Sequence, residues 1–261
     1  MSNKAFQQLA VGAALTLSAV AACADCGALP SWSTLKSALT NAVAAESSGL
    51  NFQMWATIVD RDGTVCAVAF SGANRASQWP GSRVISAQKA NTANAFSLNG
   101  PIPGGGAFAN GLALSTANLY SAVQPGGSLY GLQHSNPVNT EVAYGGNPSN
   151  NGQANDFMVG KKIGGVNVFG GGLALYSADH KVVGAVGVSG DTSCADHMIA
   201  WRLRAGLSLD NLLGVAGVSG DAARPDNIVF DITGGVSAGG FGHPVCLNNT
   251  TAPGSLPAAN H

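Results

Sequence analysis

GGGLALYSADHKVVGAVGVSGDTSCADHMIAWRLRAG, residues 170–206, sets strand, turn, strand and helix signals one after another without a gap. Two apolar runs, 173–176 and 181–188, flank Ser177-Ala178-Asp179-His180, a polar linker short enough for a β-hairpin. Along the second run Val182, Gly184, Val186 and Val188 share one face while Val183, Ala185 and Gly187 share the other, because strand side chains alternate. The second face is small, and a small face lets a helix or a flat ligand come close to the backbone. The run stops at Ser189-Gly190-Asp191. Beyond it, Ser193 and Asp196 have the spacing of a capping box, Ala195, Ile199 and Leu203 form a helical stripe, and Gly206 supplies the stop.

The chain before this stretch repeats the same grammar. Ser31 can cap a helix running to about residue 48, with Leu35, Leu39, Ala42 and Val43 on one face. Residues 52–59 and 64–70 then read as a hairpin turned by Asp62-Gly63, since Asp-Gly tolerates positive φ. Residues 82–96 form a further helix, in which Val84, Ala87, Ala90 and Ala93 cluster at helical spacing. Lys89 is the one charge in its middle. Its ordinary reading is a solvated side chain; the alternative is a pocket cation facing a ligand carboxylate.

Three strings carry a family resemblance: Gly184-Ala185-Val186-Gly187-Val188-Ser189-Gly190-Asp191 with Asp196, Ala200 and Gly206-Leu207 behind it, Lys89-Ala90 with Thr92-Ala93 and Phe96, and Val59-Asp60 followed by Gly63. Over 35–96 and 168–207 the chain resembles the GlcG/HbpS-like family of haem-binding and haem-responsive proteins. The resemblance implies an α+β fold, with a profilin-like antiparallel sheet of about five strands flanked by helices. It also implies a homo-oligomer with haem as cofactor, in haem sensing or iron-stress protection, and does not imply catalysis. Residues 97–167 depart from the family: a long irregular insertion rich in Gly, Asn and Pro replaces a short connection, with helix or strand fragments expected at 114–123 and 158–169. Residues 228–232 are expected to add a strand to the sheet. One domain at 31–247 and a loose tail at 248–261 complete the organisation.

Composition bounds the partners. With 46% hydrophobic residues the chain can build a core, and with 10% charged residues and a net charge of −1 it has no basic field for nucleic acid. Lys4, the apolar run 9–22 and Ala22-Cys23-Ala24 read as an export signal over 1–24, so the protein is expected in the periplasm or secreted. Val20-Ala21-Ala22-Cys23 also has the shape of a lipoprotein box, which leaves anchoring through Cys23 open. No later run is expected to span a membrane. Either cleavage leaves Cys26, Cys66, Cys194 and Cys246, an even set for an oxidising compartment. Cys194 with Cys246 and Cys26 with Cys66 is the favoured pairing, because it pins each terminal segment to the core; free buried cysteines are the alternative.

The candidate ligand site gathers Lys89, Gly184, Gly187, Ser189, Gly190 and Asp191. A glycine turn entering a helix N-terminus offers unpaired N–H groups to an anion, although Asp191, Ser193 and Asp196 can fill that place as caps. His134, His197 and His243 are the candidate haem-iron ligands, and His180 is expected in a turn. These readings converge on an exported protein that binds haem or another small molecule. An enzyme acting on a small organic acid and a structural accessory subunit of a periplasmic complex are the alternatives.

Overall fold

Strands buried on both faces build the centre of the protein, whose computed structural model describes residues 25–260. The expected export signal, Cys23 included, lies outside the described residues. Helix α1 (Trp32–Ala44) is capped by Ser31, whose hydroxyl accepts from the Thr34 N–H. Strands β1 (Trp55–Asp60) and β2 (Val65–Phe70) form the first hairpin, and Gly63 takes φ +80° at its turn. Helix α2 (Ser82–Phe96) follows, then the short pair β3 (Leu98–Asn99) and β4 (Gly111–Leu112), and the one-turn α3 (Thr140–Ala143). The second hairpin, β5 (Gly172–Tyr176) and β6 (Val182–Ser189), leads into α4 (Ser193–Gly206). A two-residue hairpin, β7 (Ile232–Thr233) and β8 (Val236–Ser237), comes last.

The main sheet is antiparallel, in the order β2-β1-β6-β5. It has four strands, not about five. The run at 228–232 does not join it, because Ile232 and Thr233 pair instead with Ser237 and Val236. The period of two in each strand sorts side chains between two layers. Ala56, Ile58, Val186 and Val188 pack with Leu35 and Leu39 of α1 and Met198 and Ala200 of α4. Trp55, Val59, Val68 and Ala185 pack on the other side with Val84, Ala87, Ala90 and Ala93 of α2.

The insertion is packed rather than loose. The fragment expected at 114–123 is two 3₁₀ turns, Thr116–Leu119 and Ser121–Val123, whereas 158–169 forms no helix or strand. Buried Arg83 of α2 holds both carboxylate oxygens of buried Asp156 and donates to the Ala143 carbonyl at 2.8 Å. The insertion also covers the β2 edge, where Val65 N–H donates to the Lys161 carbonyl and Gly160 N–H to that of Val65. The tail is not loose either. Leu256 and Ala259 are buried, Trp201 of α4 donates to the Pro257 carbonyl at 2.9 Å, and Asn260 donates to Asp210. Among the described residues no helix is long and apolar enough to cross a membrane.

Candidate functional site

The residues expected to form a ligand site at the β6–α4 turn are used up by the fold. A Cβ on Gly187 would run into the Ser86 carbonyl of α2, and one on Gly184 into the Val59 carbonyl of β1. The small face of β6, which carries Gly187, therefore receives α2, not a ligand; Gly184, on the other face, is crowded by β1, and a larger residue at either position would have to push backbone aside. Ser189 is buried opposite Trp55 at the end of the β1–β6 pairing. Gly190 and Asp191 turn their N–H groups onto Asp196 Oδ1, at 3.1 and 2.9 Å. The Asp191 carboxylate accepts from Leu50 N–H at 2.8 Å and Phe52 N–H at 2.9 Å, and so fastens the chain entering β1.

Lys89 is neither solvated nor a free pocket cation. It is 1% exposed, and its Nζ lies 2.6 Å from Asp196 Oδ2 and donates to the Val188 carbonyl at 3.1 Å. Burial pushes the Asp196 carboxyl up to about 6 against the pull of Lys89, and burial lowers the Lys89 ammonium. The cap of α4 is Thr192, whose hydroxyl accepts from Ala195 N–H; Ser193 is the first helical residue rather than the cap. Asp196 reaches back to the turn instead, so an anion at this helix end would meet a carboxylate already in place.

The histidines divide by exposure. His134 is exposed on a turn, and His180 sits in the β5–β6 turn with φ +59°. His197 is fully buried in α4, and its Nε2 accepts from Ile228 N–H at 3.1 Å. His243 is 2% exposed, with Nε2 2.7 Å from the Ser193 hydroxyl and Nδ1 2.7 Å from the Pro244 carbonyl. The carbonyl requires a proton on Nδ1, so Nε2 accepts from Ser193, whose oxygen in turn accepts from Gly170 N–H. Both imidazoles are enclosed, and His197 Nδ1 is left without a hydrogen-bond partner among the described residues. Both cysteine pairs are disulfides in the favoured connectivity, Cys26–Cys66 and Cys194–Cys246.

Burial pushes both buried histidines down to about 4. An unfolded histidine protonates near its ordinary value of about 6.5, so between pH ~6.5 and ~4 the unfolded chain binds protons that the folded chain refuses. Stability contributed by the neutral rings is full above that window and lost as pH falls through it. Asp196, raised to about 6, works in the opposite sense over the same range, but one carboxyl stands against two imidazoles. The expected result is a lower urea midpoint at pH 5 than at pH 7.5, with a smaller drop in His243→Gln. Equal midpoints at the two pH values would contradict it.

A cavity of about 660 Å³ lies beside this cluster. One wall is the insertion segment 120–128, with Tyr120, Gln124 and Pro125; the other is the C-terminal segment 232–244, with Ile232, Val236 and Pro244. Its size suits a small-molecule ligand. Tyr120 links cavity and cluster, since its ring lies 4.8 Å from that of His243. No Lys, Arg, Asp or Glu lines it among the described residues, and its mouth opens to solvent. Sequence reasoning missed this wall. The signal was Gly234-Gly235, which turns the β7–β8 hairpin with φ +59° and +84°.

No curated protein sequence matches the chain. Several solved structures are similar to it, among them the following three. Protein ORFY of Klebsiella pneumoniae is 24% identical, the match covering 69% of this chain and 90% of that one, with a TM-score of 0.43. The PduOC:heme complex is 23% identical over 67% of this chain and 89% of that one, with a TM-score of 0.42. A double mutant of HbpS from Streptomyces reticuli is 15% identical over 78% and 99%, with a TM-score of 0.40. The family described as haem degrading protein HbpS-like matches residues 33–207, well over half of the sequence and the whole run from α1 through α4, and the chain belongs to that family.

Proposed function

We propose that the chain is an exported haem-binding protein whose ligand enters the cavity between the 120–128 and 232–244 segments. Family membership over 33–207 carries the reading. Three features of the cavity support the group: Pro125, Ile232, Val236 and Pro244 offer apolar surface to a porphyrin face within a mixed lining, the open mouth leaves carboxylates in water, and Tyr120 brings a phenol, one of the side chains that hold haem iron. Haem supplies an iron that needs such a protein donor. Tyr120 would hold it, and Ile232, Val236 and Pro244 would exclude water from its face. Two disulfides among the described residues support an oxidising compartment. The homo-oligomer implied by the family resemblance is part of the same proposal, and the elution volume of the purified chain tests it. The organic-acid enzyme has lost its binding groups, because Lys89 and the start of α4 are satisfied internally.

Hemin titrated into protein purified from the exported fraction is expected to give a shifted Soret band. Tyr120→Phe is expected to weaken binding by about ten-fold or more, which is about 1.4 kcal/mol. An unshifted band would overturn haem binding, and undiminished affinity in Tyr120→Phe would move the ligand role to exposed His134. An intact mass that retains Lys4 would overturn export.

A further inference from the structure

Four donor atoms meet between the start of α4 and the C-terminal segment. Cys194 Sγ lies 3.9 Å from His243 Nδ1 and 3.6 Å from the Pro244 carbonyl oxygen, and Cys246 Sγ lies 3.9 Å from the same oxygen. The two sulfurs and the imidazole nitrogen all fall within 4.8 Å of one another. A tetrahedral zinc ion, with bonds of about 2.3 Å to sulfur and about 2.0 Å to nitrogen or oxygen, needs sulfur–nitrogen and sulfur–oxygen spacings of roughly 3.5 Å. The three sulfur–nitrogen and sulfur–oxygen distances, 3.9, 3.6 and 3.9 Å, are within a few tenths of an ångström of that already. Entry of an ion requires the bond between the two sulfurs to break and the 2.7 Å contact of Nδ1 with the Pro244 carbonyl to open.

Two features argue for a built site over a chance meeting of a disulfide and a histidine. Nδ1 and the Pro244 oxygen face each other at 2.7 Å, an arrangement that a proton holds together in the disulfide form and that a metal ion can hold in its place. On the far side of the ring, Nε2 lies 2.7 Å from the Ser193 hydroxyl. A metal-bound histidine commonly anchors its other nitrogen to such a partner, which fixes the ring and its tautomer. The second cluster, Cys26 and Cys66 with Asp60, lacks this preparation. Asp60 Oδ1 already accepts from Asp62 and Thr64 N–H groups, only Oδ2 faces Cys26 Sγ, at 3.9 Å, and no imidazole is present there.

We propose that Cys194, Cys246, His243 and the Pro244 carbonyl form a redox-gated zinc site, closed while the disulfide stands and opened when a dithiol reduces it. In the gating step the Cys194–Cys246 bond breaks as two electrons and two protons pass to it from the dithiol, which is oxidised to its own disulfide, and both cysteines become thiols. Zinc then displaces both thiol protons to solvent. The ring stays neutral: the proton on Nδ1 is lost, Nε2 takes one up from water, and Nε2–H donates to the Ser193 oxygen. Cys246 is the sulfur the dithiol attacks, since it is partly exposed and Cys194 is buried. The site borders the proposed haem cavity, whose wall includes Pro244, but its donors do not require haem to be bound.

Cobalt(II) serves as the spectroscopic stand-in for zinc. The chain is reduced anaerobically with a phosphine, desalted and titrated. The expected result is one cobalt per chain with a thiolate-to-metal charge-transfer band, absent from the oxidised chain and from Cys194→Ser/Cys246→Ser, which keeps the other cysteine pair. His243→Ala and His243→Gln are each expected to weaken binding by about ten-fold or more. Zinc is expected to raise the thermal midpoint of the reduced chain, because metal bound only by the folded form adds to its stability. The proposal is overturned by any of three results: no charge-transfer band in the reduced chain, an equal band in the double serine chain, or undiminished affinity in both histidine variants. A reduced chain whose unfolding zinc leaves unchanged would overturn it as well.

Discussion

Asp226→Ala is expected to lower the unfolding free energy by about 3–5 kcal/mol, the usual result of removing one partner of a buried ion pair. Arg204 and Asp226 are both fully buried, and the guanidinium grips the carboxylate with two bonds, Nη1 to Oδ2 at 2.6 Å and Nη2 to Oδ1 at 2.8 Å. Nη1 also reaches the Ala174 carbonyl at 3.2 Å, and the guanidinium stacks over Trp201 at 4.6 Å. Alanine would leave a full positive charge inside the α4–β5 layer with one weak carbonyl contact. The loss measures the cost of that orphaned charge, not the net worth of the pair. A double variant, Arg204→Met with Asp226→Leu, is therefore expected to recover much of it. Urea denaturation checks both. A loss below about 1 kcal/mol in Asp226→Ala would mean that the arginine finds water or another acceptor.

Cys194→Ala/Cys246→Ala is expected to cost about 4 kcal/mol. The bridged cysteines are 52 residues apart, and closing a loop of that length in the unfolded chain carries roughly that much entropy. The loop includes both the 232–244 wall of the cavity and the buried carboxylate Asp226, so the loss should be felt at the cavity as well as in the core. Haem affinity is expected to fall in the same variant, provided the hemin titration finds haem on the unmutated chain. The Cys26–Cys66 bridge, 40 residues apart, closes a loop of similar entropy but touches none of the cavity wall, so its removal should lower stability while leaving ligand affinity in place. Thermal or urea unfolding that separates the double alanine chain from the parent by less than about 1 kcal/mol would contradict the first expectation.

The sequence by itself determined the elements that are written in short windows. Apolar runs bounded by turn residues, at 52–59, 64–70, 173–176 and 181–188, marked the strands, the apolar stripes of α1, α2 and α4 marked the helices, and Asp62-Gly63 marked a turn, because each signal is carried by residues within a few positions of one another. The strings around Lys89 and 184–191 likewise carried the family. What only the tertiary structure decided are the partnerships between distant residues. Lys89 meets Asp196 across 107 positions and Arg83 meets Asp156 across 73, and no periodicity encodes either meeting. The same limit explains the other corrections. Gly187 could admit a ligand or a helix, and only the position of α2 chose the helix; residues 228–232 are apolar enough for a sheet strand, but β7 found a partner four residues away in β8. The tail carried no local signal at all, since Leu256 and Ala259 are buried by surfaces contributed from elsewhere in the chain. Local pattern fixes which face of an element is apolar; what that face meets is settled only when the whole chain has packed.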